Sequence, residues 1–411
     1  GVMGGLKIMA PIAWRNLWRR KSRTLLTITA IAMAVASLII LGAFMRAWGG
    51  SAFDRTVEAL TAHGQIHAEG FLDAPTVEHA MPQPAGVLLD VLSGQSVAAW
   101  TPRIVALALI RSERESAPIM IYGIDPKRES AVSFLKPNAI DGAPLTSATS
   151  KGLIMGRSLA DRLQVERGRR VVISAQDENG DIAEIGVRVT GFYKGQPDLQ
   201  KYAVFVSLKE AQALLGLEGE VSEIAFLAPQ RDGINVAIED LKQAAPDLDI
   251  RRWDELQPFA KAMIDLAEGA NLIWIFVSFV LVAFGLVNTL MMAVYERMRE
   301  FGLLQALGMK PVLLLVQILV ESVYLVVFGA LAGAIAGAVT VNAFSGGLDF
   351  GHLGIGAEMF GVSQVLYPKV SAAEITVACS IVIGLSILAS LYPALQASRR
   401  VPVDVLTRAQ T

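Results

Sequence analysis

The chain has 411 residues, 53% of them hydrophobic and only 18% charged, with four histidines and a single cysteine, Cys379. A formal charge of −2 offers little to a phosphate backbone and argues against nucleic acid as a partner, while one cysteine excludes an intramolecular disulfide and a cysteine-based zinc site. The mean hydropathy of +0.48 sets the chain on the membrane side of ordinary globular composition.

Residues 1–23 end in "APIAWRNLWRRKSR", which places Trp14, Leu17 and Trp18 on one helical face among arginines. That pattern predicts a cytoplasmic interfacial helix with its aromatic rings at headgroup depth; the plainer reading is a positively charged flank. A first membrane span covers 24–48. Its apolar run, Thr24 to Met45, is too long for the core of a signal peptide, and no small-residue cleavage site follows it.

Residues 49–270 read as a large extracytoplasmic α/β domain. "GQIHAEGF", "APIMIYGI", "RRVVISA", "IGVRVTGF" and "YAVFVSL" have strand character, and "GVLLDVL", "SLADRLQV", "LKEAQALL" and "VAIEDLKQAA" have helical character. An Asn-Gly turn within Asp177 to Asp181 predicts a hairpin. Two subdomains are expected, 165–216 being inserted into a second one whose pieces flank it. Helical patterns at Phe53 to Leu60 and Trp253 to Ala267 predict that spans one and two continue outward as a stalk.

Three more spans follow, at 271–295, 312–344 and 375–395, with a connector at 296–311, a short outer loop at 345–374 and a tail at 396–411. Basic residues crowd the segment before span one, the 296–311 connector and the tail, whereas the 345–374 loop holds one lysine. The positive-inside rule therefore places both termini and the connector in the cytoplasm and 49–270 outside. The fold class is a four-span α-helical membrane domain plus an extracytoplasmic α/β domain between spans one and two.

Little in the chain points to catalysis. His63 and His67 have the spacing of a helical metal pair, but Gly64 and the following "QIH" indicate a turn into a strand, where such residues stand roughly 13 Å apart. No metal site, nucleophile elbow or catalytic residue is expected, and no G-x-x-x-x-G-K-S/T sequence occurs. Glu321 is the one carboxylate well inside a span, about 15 Å beyond Pro311 and so near the bilayer middle. Gln317 shares its face, and Asn288 and Thr289 are candidate partners. A hydrogen-bonded helix tie is the favoured reading over a substrate contact. Gly329, Gly333 and Gly337 recur at intervals of four, a spacing that lets helices pack closely.

The connector "YERMREFGLLQALGM", Tyr295 to Met309, exposes leucines on a short helix and needs something to cover them. It resembles the E-R-x-R-E-I/F-G-x-L-x-A-x-G signature of the MacB/FtsX-like ABC transporter permease superfamily. "AWRNLWRRKSRTLLT", the stretch around Glu321 and "YPALQASRRVPVDVLTR" are similar to the same superfamily, nearest the lipoprotein-releasing (LolC/LolE-like) permeases. The resemblance implies that 296–311 is a coupling helix docked in a separate cytoplasmic ATPase. Leu303, Leu304 and Leu307 would be buried there, with Arg297, Arg299 and Glu300 at the rim. It implies ATP and Mg on that partner and no cofactor on this chain, which would not itself be an enzyme. It further implies a second permease (a homodimer or a similar subunit), the bacterial inner membrane, and mechanotransmission acting on lipoproteins or other amphipathic envelope cargo. The alternative is an FtsX-like scaffold controlling a periplasmic cell-wall hydrolase. The resemblance does not extend to the long hook loop of one Lol permease: the hairpin at Asp177 to Asp181 is short.

Overall fold

A computed structural model describes residues 11, 13–15, 17–145, 151–194, 197–349 and 365–399. His352, with the rest of 350–364 in the 345–374 loop, and the tail from 400 onward lie outside the described residues. The chain forms two compact units, 52–262 and a second made of 1–51 with 263–411.

The 52–262 unit is built on one mixed ten-stranded sheet in the order β12-β1-β11-β3-β4-β9-β6-β8-β5, with β7 pairing β3 and β8. The strands that matter below are β1 (Gly64–His67), β3 (Ala99–Arg111), β4 (Ser116–Ile124), β6 (Gly152–Gly156), β7 (Arg170–Gln176), β8 (Ile182–Tyr193), β9 (Ala203–Ser207) and β11 (Glu223–Leu227); the sheet ends at β5 (Ile140–Gly142) and β12 (Asp249–Arg252). β3 is its longest strand, and the sequence reading above passed over it. Pro102 and an alanine- and leucine-rich run obscure its period. The ladder with β4 begins only at Arg103, paired with Ile124, so Pro102 stands just beyond its end.

The expected inserted subdomain is corrected by this topology. Strands β7, β8 and β9, all inside 165–216, pair with β3, β4 and β6 of the flanking sequence. Ile104, Ile119 and Leu159 share one apolar core with Val171, Val187 and Leu214. Burial of a common face joins the two stretches. The turn at Asp177 to Asp181 does close the β7–β8 hairpin: the Asp177 carboxylate accepts from the Asn179 and Asp181 amides, and Gly180 takes φ +84°.

Among the described residues, four helices are long and apolar enough to cross a membrane, at Lys21–Thr61, Pro258–Glu296, Pro311–Ala343 and Ala372–Gln396. We name the helices α1 (Lys21–Thr56), α2 (Pro258–Glu296), α3 (Met298–Ala306), α4 (Pro311–Ala343) and α5 (Ala372–Arg399). The third span is the hub: 44% of its apolar window is buried, against 17% for the second and fourth. Gly329, Gly333 and Gly337 line its contact with α1, where a Cβ on Gly333 would meet the Ala32 carbonyl and come within 2.8 Å of Val35 Cβ. Sparse polar ties join the other helices. Thr27 and Thr289 share a hydrogen bond of 2.9 Å, and Ser322 donates to Ser390 at 3.0 Å. The N-terminal segment packs on the same hub, with the Trp14 ring 5.8 Å from Tyr324 and 5.4 Å from Phe328.

Candidate functional site

The basic end of the bundle carries the connector. Helix α2 stops at Glu296, and Arg297 takes non-helical angles (φ −107°, ψ 11°) before α3 begins. Gly308, at φ +94°, ends that short helix in a left-handed turn which a side chain would strain, and Pro311 opens the next. Leu303 and Leu307, one turn apart, are 61% and 77% exposed. A helix face of that kind leaves two large apolar side chains in water, or in contact with a partner. The Arg299 and Leu304 side chains lie outside what the structure describes.

Ion pairs hold this corner. Arg23 of α1 grips Glu296 with both terminal nitrogens, at 2.9 and 3.3 Å. Arg19 lies 3.6 Å from Glu300, and Arg297 Nε is 3.4 Å from the same carboxylate. Arg297 Nη1 donates to Glu321 at 3.0 Å, and Gln317 donates to the same oxygen at 3.5 Å. This corrects one expectation. The bonded partner of Glu321 is Arg297, whereas Asn288 is exposed and Thr289 is hydrogen-bonded to Thr27. Leu17, Thr24, Leu290, Ala293 and Leu325 complete the walls of a cavity of about 350 Å³ around these charges.

A second cleft of about 240 Å³ opens elsewhere in the bundle. Leu38, Ile39, Ile275, Val377 and Ile381 wall it, and Arg46, Asn271 and Glu374 provide its polar groups. Arg46 and Glu374 are paired at 2.5 Å. A site of this make-up can accept a molecule with an apolar tail and a polar head.

The sheet unit holds a buried charge cluster that the sequence reading missed. Arg103 on β3 is fully buried; it donates to Glu129 at 2.9 and 2.8 Å, to Glu223 at 2.6 Å and to the Leu60 carbonyl at 2.5 Å. His67 is stacked on Phe71, with its Nε2 3.6 Å from Glu223. Burial is the largest single influence and pushes the Glu223 carboxyl up, but the charge and hydrogen bond of Arg103, together with His67, outweigh it and hold the group below its ordinary value. The one signal in the sequence was a lone arginine inside an apolar run. His63 lies apart from His67 in function: its Nδ1 accepts from the Ala228 amide at 2.9 Å. Among the described residues no group of three or more His, Cys, Asp or Glu side chains is placed to hold a metal.

Comparison with known proteins places the two units. The model for the MacB-like periplasmic core domain matches residues 24–244, and that for the FtsX-like permease C-terminal region matches 272–402. The lipoprotein-releasing system transmembrane protein LolC of Neisseria meningitidis is 24% identical over 399 residues, covering 93% of each chain. The corresponding LolE of Haemophilus influenzae is 20% identical, covering 96% of this chain and 98% of its own. The solved periplasmic region of MacB from Actinobacillus actinomycetemcomitans covers 50% of this chain and 95% of its own at 12% identity, with a TM-score of 0.35. The assignment rests on the two family models, which between them take in both the inter-span sheet and the helices after it. The chain belongs to the MacB/FtsX-like family of ABC transporter permeases.

Proposed function

We propose that the chain couples a separate cytoplasmic ATPase to movement of its MacB-like domain, and so releases lipoproteins or other amphipathic cargo from the membrane without passing them through it. The observation that carries this reading is the exposed pair of Leu303 on α3 and Leu307 at the C-cap of that helix, which ion pairs brace at the end of the bundle. In this reading both termini are cytoplasmic, ATP and Mg reside on the partner, and two permease chains meet two ATPases. The amphipathic cleft beside Arg46 and Glu374 supports cargo with an acyl tail, as does the release of lipoproteins in the names of the LolC and LolE relatives.

The test is co-expression with the ATPase of the same system. Leu303→Asp or Leu307→Asp places an unpaired carboxylate in the docked face, a loss on the order of several kcal/mol. Co-purification and permease-dependent ATP turnover should both disappear while the helices stay folded. Normal assembly and turnover in both variants would refute docking through this face. Lipoprotein release from spheroplasts, assayed with the intact complex, then tests the cargo.

A further inference from the structure

The resemblance places Arg297 at the rim of the ATPase groove, yet the structure turns its side chain the other way. The Arg297 side chain is 18% exposed, against 54% for Glu300 one turn later. It reaches back into the bundle to Glu321, whose side chain is 7% exposed. The guanidinium spans the two: Nη1 is committed to the sheltered Glu321 and Nε lies 3.4 Å from the exposed Glu300, so its planar fork directs a terminal donor into the bundle rather than out toward a docked protein.

The position of Arg297 in the backbone gives that pair leverage. It is the non-helical residue where α2 ends and α3 begins, and its amide donates to the Val294 carbonyl at 3.2 Å. Of the ion pairs at this corner, Arg19–Glu300 is largely exposed and contributes little. Arg23–Glu296 anchors the preceding residue to α1, with side chains 21% and 24% exposed. Of these three pairs, Arg297–Glu321 is the most withdrawn from water, and it joins the corner to the hub helix α4. Gln317 donates to the same carboxylate, so Glu321 presents its oxygen in a set direction.

We infer that Arg297 is a positioning residue: paired with Glu321, it sets the angle of α3 and makes that helix and α4 move together. A push on Leu303 and Leu307 must then either carry α4 along or break a sheltered ion pair. The inference deepens the coupling role proposed above and rests on it for its consequence in ATP turnover. The geometry of the corner can be tested in the permease alone.

The experiment has two arms, both in a Cys379→Ala background of the full chain. In the first, the permease alone is spin-labelled at Leu26→Cys and Leu307→Cys, and the distance between labels is measured in nanodiscs. Arg297→Glu should shift and broaden that distance, and the reversed pair Arg297→Glu/Glu321→Arg should restore it. Glu321→Gln, which keeps volume and hydrogen bonding, serves if the charge reversal does not fold, and should broaden the distance as well. An unchanged distance in Arg297→Glu or in Glu321→Gln would overturn the inference. In the second arm the unlabelled variants are combined with the ATPase. Arg297→Glu should still co-purify with it but lose roughly ten- to a hundredfold in permease-dependent turnover. The reversed pair should recover to within about threefold of the original. Loss of co-purification that Glu321→Arg does not repair would identify Arg297 as a docking contact and overturn the inference. If the unaltered permease neither binds nor stimulates the ATPase, the coupling role fails, and the first arm still decides the geometry.

Discussion

Replacing Arg103 with methionine would leave Glu129 and Glu223 buried without their shared cation. Removal of one partner from such a cluster costs about 3–5 kcal/mol, far more than an exposed pair is worth. The sheet unit should therefore melt early, as read by hydrogen exchange at β3 and β11 in the solubilised chain. Arg103→Met with Glu129→Gln and Glu223→Gln should recover a large part of the loss, since no buried charge then remains unpaired; no recovery would count against the charge explanation. Acid should weaken the same unit in two stages. Burial and the Arg231 charge lower the His63 pKa from its ordinary 6.5, and the Ala228 amide already occupies Nδ1. Glu223 is likewise lowered from an ordinary 4.5. Both folded values lie below the unfolded ones, so the stability each gives is full above its ordinary value and is lost as pH falls through the folded value. Melting temperature should be flat above about pH 7 and fall below it, then fall again below about pH 4.5. His63→Gln should flatten the upper stage alone; an unchanged profile would sink that assignment.

At the scale of elements, the packing of α4 on α1 depends on the absence of side chains. A Cβ at Gly329 would come within 2.6 Å of Ile31 Cβ, and one at Gly333 would meet the Ala32 carbonyl. Gly333→Leu should destabilise the bundle by about 1–3 kcal/mol through overpacking. Gly285→Ala, where no atom lies within 4 Å of the added Cβ, should be neutral or slightly stabilising in its helix. Thermal unfolding in detergent compares the two, and equal effects would mean that the contact is loose. The glycine spacing was plain in the sequence because a small-residue stripe repeats with the helical period. The identity of the facing helix was not, since any of the other spans could have supplied the apolar face that Ile31 and Val35 provide. Strand β3 failed to show for the opposite reason: its residues carry no clean alternation, and only its neighbours on both sides make it a strand.

At the scale of the whole molecule, the proposed docking of two ATPases would call for two permeases, and we propose the outward faces of the first two spans as their seam. Met33 on α1 is 69% exposed and Phe284 on α2 is 76% exposed. Oxidation of membranes carrying Met33→Cys, with Cys379→Ala, should give a covalent dimer of the chain with itself or with a similar subunit altered at the matching position. Ile335→Cys on α4, equally exposed at 65%, should give none. Cross-linking at both positions alike would point to random collision and remove the proposed seam.

Spans, their order and the α/β domain between the first two were legible from the sequence, because apolar length and hydrophobic period are local properties of the chain. So was the family, carried by a connector whose charges and glycines fall within one short stretch of the chain. The partners of the charges were decided only by the tertiary structure. Arg23 meets Glu296 across 273 positions, Arg103 meets Glu223 across 120, and Arg297 meets Glu321 across 24. A buried charge must find its counter-ion wherever packing brings one, and no local pattern encodes which distant residue that will be.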